Sequence, residues 1–128
     1  MWIRDSIIIL LTIIVLDAVM LGLIVRTQWS TAVQKIQHSP LQPRLQYGIL
    51  TYLLLTIGVL VFVLPRVHSA RDCIVWGGLF GLVVYGVFDT TNLVILKDYP
   101  LSLAAVDTIW GAVLIAMACL ATGKFSRN

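Results

Sequence analysis

An all-α fold, a bundle of four transmembrane helices, is predicted by three observations in the sequence. Hydrophobic residues make up 59% of the 128 positions and charged residues 12%, whereas soluble domains run at roughly 45 to 50% and about 25%. The apolar residues gather into four runs of bilayer length, consistent with a mean hydropathy of +0.96. The connections between runs are too short for an added globular module, so one integral membrane domain over 1–128 and no soluble catalytic domain are expected.

The first run, 6–25, lies between Arg4-Asp5 and Arg26. At about 1.5 Å per residue, some twenty residues cover about 30 Å, the thickness of the hydrocarbon core. It is longer than the roughly 7 to 15 residue core of a signal peptide, and no small-x-small site follows, so a retained membrane helix is expected.

The connection that follows carries Trp29, Ala32, Val33 and Ile36 at i, i+3, i+4 and i+7. That spacing predicts a short helix over 28–37 lying in the headgroup region, ended by Ser39-Pro40 and Pro43. A polar loop with one anchored Trp is the alternative.

The second run, 45–64, is uncharged and ends at Pro65-Arg66. The third, 73–96, begins after Arg71-Asp72 and stops at Lys97-Asp98, and the fourth, 101–122, starts after Pro100. A proline just ahead of a helix removes an N–H that has no intrahelical partner. The short links at 65–72 and 97–100 predict two antiparallel helical hairpins. Within the third run Gly77, Gly78 and Gly81 include a Gly-x-x-x-Gly element that permits close helix approach, which marks this run as the expected central helix.

Charge is sparse and placed at the run ends. The net +3 comes from nine Lys/Arg scattered beside the apolar runs, a pattern of lipid-headgroup anchors and not of a nucleic-acid stripe. With four spans, Arg4, Arg66, Arg71, Lys124 and Arg127 share one side and Arg26, Lys35, Arg44 and Lys97 the other. This small excess points to cytoplasmic termini. His38 and His68 sit in connections without further ligands at metal spacing, and Cys73 and Cys119 are far apart inside apolar runs, so no metal, cofactor or disulfide is expected.

The informative residues are acids. All six are Asp, and Asp17, Asp89 and Asp107 fall inside apolar runs, where an ionised Asp at a helix centre costs at least about 2.5 to 3.5 kcal/mol. Counted from the run midpoints at about 1.5 Å per residue, Asp17 lies about 2 Å and Asp89 and Asp107 about 6 to 7 Å toward the side of the first and third connections. One shared site is therefore expected. Asn92 lies on the Asp89 face, Trp110 and Gly111 lie on that of Asp107, and Thr90, Thr91 and Thr108 add hydroxyls. Two readings stand side by side: an interhelical hydrogen-bond network, and a proton or cation site.

From Gly77 to Leu114 the chain reads GGLFGLVVYGVFDTTNLVILKDYPLSLAAVDTIWGAVL. This stretch resembles the membrane-protein family known as domain of unknown function 2177, whose Tyr-x-x-x-Asp-x-Thr-Asn, Leu-Lys-x-x-Pro and Asp-x-x-Trp-Gly elements match Tyr85, Asp89, Thr91, Asn92, Leu96, Lys97, Pro100, Asp107, Trp110 and Gly111. LDAVMLGLI resembles its first-helix element, with Asp17 and Gly22 in place and Met20 where Trp is usual. The resemblance implies four spans and a polar centre of Asp17, Asp89, Asn92 and Asp107, supported by Tyr85, Thr91, Trp110 and Gly111. It implies no activity, and it places relatives in bacteria, algae and large DNA viruses. The expected role is a non-enzymatic structural or assembly component that contacts lipid, other copies, or partner membrane proteins. In a bacterium it would sit in the inner membrane, and in a large virus in an internal membrane with capsid proteins as partners. The alternative is a proton- or cation-coupled transporter acting as an oligomer.

Overall fold

A computed structural model describes residues 2–127. Among them all regular structure is helical, and four helices are long and apolar enough to cross a bilayer: α1, Trp2–Ile24; α3, Leu45–Arg66; α4, Ala70–Ile95; and α5, Leu101–Thr122. Between α1 and α3 lies the shorter α2, Arg26–Gln37. A helix satisfies its backbone N–H and C=O groups within its own segment, as a chain in hydrocarbon requires. The outward faces leave Ile7, Leu11, Leu50, Leu54, Val83 and Val87 exposed, a belt far larger than the apolar patches of soluble monomers.

Local chemistry moves two helix starts outward from the expected positions. Helix α1 begins at Trp2, because Arg4 and Asp5 are held inside its first turn by partners elsewhere, and Ser6 Oγ bonds the Trp2 carbonyl at 2.6 Å. Helix α4 begins at Ala70, because the Ser69 hydroxyl accepts from the Asp72 N–H at 3.2 Å while the Asp72 carboxylate accepts from the His68 N–H at 2.8 Å. This reciprocal arrangement is close to a capping box. The last turn of α1, Met20–Ile24, widens, and Val25 N–H reaches the Met20 carbonyl at 3.0 Å.

Glycine sets the α4–α5 contact. A Cβ on Gly77 would press on the α5 backbone at Ile115 and Ala116, one on Gly81 would strike the Gly111 carbonyl, and one on Gly111 would strike the Tyr85 ring. Positions fall along α4 as they rise along α5, so the two run antiparallel. Gly78 makes no such demand, since the nearest atom to its Cβ would be the Ala112 carbonyl oxygen at 3.9 Å. The central helix is α5 and not, as its glycines suggested, α4: 44% of its apolar window is buried against 22% for α4. The glycines of α4 serve one close neighbour, whereas α5 is also packed by α1 and α3 through Leu114, Ile115 and Ala118.

The apolar core occupies the half of the bundle nearer the termini. It joins Ile9 and Ile13 of α1, Val59 and Val63 of α3, Cys73 of α4, and Leu114, Ile115, Ala118 and Cys119 of α5. A second, smaller cluster lies at the opposite end, where Ala32, with Trp29 and Ile36 alongside, packs on Tyr99, Leu103 and Ala104. The apolar stripe of α2 thus meets the end of the bundle as well as its surroundings. The helix starts at Arg26, two residues before the expected 28, and ends where His38 turns into the left-handed conformation at φ 59°.

Candidate functional site

The half of the bundle opposite the apolar core holds Asp17, Asp89 and Asp107, and the first two each form a clamp. Asp17 on α1 accepts from the Tyr52 hydroxyl of α3 at 2.5 Å and from the Trp110 indole N–H of α5 at 3.0 Å, one on each carboxyl oxygen. Three helices meet at this one carboxyl. Asp89 on α4, which is 1% exposed, accepts from the Tyr99 hydroxyl at 2.6 Å and from the Thr108 hydroxyl of α5 at 3.0 Å, again one on each oxygen.

Asp107 lies between the clamps and is treated differently. It sits within reach of Asp89 and Asp17, yet its Oδ2 is buried without a hydrogen-bond partner. A cavity of about 10 Å³ adjoins it, bordered by Met20, Trp29 and Trp110, room for on the order of one water. The Tyr85 ring packs over Gly111. Asn92 is half-buried beside Tyr99.

Thr91 does not join them. Its side chain is exposed, and Thr90 returns its hydroxyl to the Gly86 carbonyl of its own helix at 2.6 Å. Of the three threonines near the acids, Thr108 is the one that reaches a carboxyl, because it lies on the α5 face turned to α4.

Two site residues escaped the sequence reading, Tyr52 and Tyr99. A phenol in an apolar run or a short link is unremarkable on its own, and the only available signal was that each buried Asp needs donors from another element. Tyr99 lies in the 96–100 link, outside the spans, with its ring edge-on to Trp29 at 6.0 Å between centroids. Burial first, and then its hydrogen bond to Asp89, push its phenol well above the ordinary 10.0, with Asn92 acting the other way.

A second polar group, also unforeseen, closes the end of the bundle near the termini. Arg127 grips Asp5 with two parallel hydrogen bonds of 3.0 Å each, Arg4 donates to the Thr122 carbonyl at 3.0 Å, and Lys124 donates to the Val67 carbonyl at 3.2 Å. These contacts put residues near both termini and the 67–69 link on one side of the molecule. Nearby, Cys73 and Cys119, 46 residues apart in sequence, meet as buried free thiols.

Chemically, then, the cluster offers two carboxyls with a donor on each oxygen and one with an oxygen that has no partner. Among the described residues no three His, Cys, Asp or Glu side chains are grouped to hold a metal ion. No curated protein and no solved structure matches the chain. A family model matches residues 2–123, which takes in all four spans and every residue of the two clamps, and the chain therefore belongs to the family described as predicted membrane protein (DUF2177).

Proposed function

We propose that this protein is a non-enzymatic component of its membrane, a compact bundle that assembles with copies of itself or with partner membrane proteins, and that Asp17 and Asp89 act in it as interhelical clamps. The observation that carries the reading is the engagement of both oxygens of both acids: each accepts from a Tyr, Trp or Thr, and five elements of the chain supply the participants. A carboxyl that exchanges protons or substrates needs a lone pair open to its cargo. Each oxygen of these two already accepts from a fixed donor of the bundle, which suits rigidity.

The test is extraction in a gentle detergent followed by native mass spectrometry and cross-linking in the intact membrane. A stable homo-oligomer or a recovered partner is expected. Strict monomers in both experiments would end the assembly reading.

A second reading, proton or cation passage, is favoured by the unsatisfied Oδ2 of Asp107 and the small cavity beside it. Reconstitution in liposomes under a pH gradient separates the two. Passage through Asp107 requires a leak that Asp107→Asn abolishes. A tight membrane with either protein leaves Asp107 as a packing residue.

A further inference from the structure

We propose that the groove between α2 and the start of α5 binds the headgroup of an anionic glycerophospholipid, with the phosphodiester held by Lys35 and Lys97. A cavity of about 710 Å³ opens there, bounded below by Val25, Ala32, Leu103 and Val106 and above by the two lysines. Volume and lining match what a headgroup with the first carbons of its chains requires.

Depth fits as well. Val25 directly follows the last residue of α1, and residues 97–100 lie between the end of α4 and the start of α5, so the cavity stands at the edge of the spans. That is the level of lipid phosphates in one leaflet. The apolar side of the groove descends along Val106 toward hydrocarbon, a path for acyl chains.

Charge selects the class of lipid. Lys35 and Lys97 are exposed and take part in no ion pair among the described residues, and one carboxylate, Asp98, shares the lining. Two positive charges against one negative leave a single positive charge, which a phosphodiester monoanion neutralises. A choline headgroup brings its own cation beside the lysines. The first turn of α5 has no side-chain cap, and Ser102 and Leu103 from it line the cavity, so backbone N–H groups add to the anion's surroundings. Tyr99 also lines the groove, so the occupant rests on the residue that holds Asp89, whichever role the acids serve.

The experiment uses the purified full chain in detergent, titrated with phosphatidylglycerol, phosphatidylcholine or inorganic phosphate, and read by native mass spectrometry and thermal shift. Phosphatidylglycerol is expected to be retained and to raise Tm. The double variant Lys35→Ala/Lys97→Ala should bind it roughly 20- to 30-fold more weakly, at about fivefold per lysine. Thr31→Trp, which fills the exposed mouth of the groove and keeps both charges, should also displace it and guards against misreading a folding defect. Equal retention of phosphatidylcholine, or unchanged binding by both variants, overturns the proposal. A full shift with inorganic phosphate alone overturns the assignment to lipid.

Discussion

At the scale of single residues, each buried carboxyl is defined by what donates to it. Asp17 illustrates the point, since its two oxygens draw a phenol from α3 and an indole from α5. Interhelical hydrogen bonds within membranes average about 0.6 kcal/mol and reach about 1.7. Tyr52→Phe and Trp110→Phe should each lower stability by an amount in that range, read from reversible unfolding in mixed detergent. Because both bonds end on one carboxyl, the double variant should depart from the sum of the two singles; strict additivity would mean that the clamp is two independent contacts. Tyr99 makes a prediction in pH. Its folded phenol holds its proton above the ordinary 10.0 through burial and then Asp89, so its stabilisation is complete below about pH 10 and drains away as pH rises past that value, while the unfolded chain ionises first. The alkaline limb of a stability profile should be shallower for Tyr99→Phe than for the parent.

At the scale of elements, α4 and α5 depend on absent side chains. Gly81→Ala would drive a methyl into the Gly111 carbonyl, backbone against backbone, whereas Gly78→Ala would place one at ordinary contact distance. We expect Gly81→Ala to cost on the order of 1 to 3 kcal/mol and Gly78→Ala next to nothing, measured by thermal unfolding in detergent. Comparable losses at both positions would discredit the one-sided contact. The spans themselves were readable in the sequence, because length and hydropathy alone decide whether a run can cross a bilayer, and α5 runs from Leu101 to Thr122 as expected. The common depth of Asp17, Asp89 and Asp107 was readable too, since depth needs only residue counting. What α2 packs on was not. Its stripe of Trp29, Ala32 and Ile36 has the spacing of a headgroup helix, and nothing local says that Tyr99 and Leu103 will cover part of it. Tyr52 and Tyr99 stayed hidden for the same reason, their partners being 35 and 10 residues away. Thr91 stands two residues from Asp89 in the same motif, but the helix turns it outward.

At the scale of the whole molecule, the bundle is apolar toward the termini and hydrogen-bonded toward the opposite surface, and a charged clasp closes the apolar end. Asp5, 6% exposed, is the centre of that clasp, accepting from Arg127 twice and from Arg4 at 3.3 Å. Asp5→Ala should reduce stability by roughly 1.5 to 3 kcal/mol, the range for hydrogen bonds to charged groups, and should loosen the start of α1 first. Hydrogen exchange localised to residues 2–8 would report the loosening, and unaltered protection there would show the clasp to be dispensable. The clasp also has a consequence for biosynthesis. A ribosome makes Asp5 long before Arg127, 122 positions downstream, so at first Arg4 is the counter-charge at hand for its carboxylate. The lock at Arg127 can therefore close only once the last span has been made, and until then the start of α1 is held by fewer than its full set of partners.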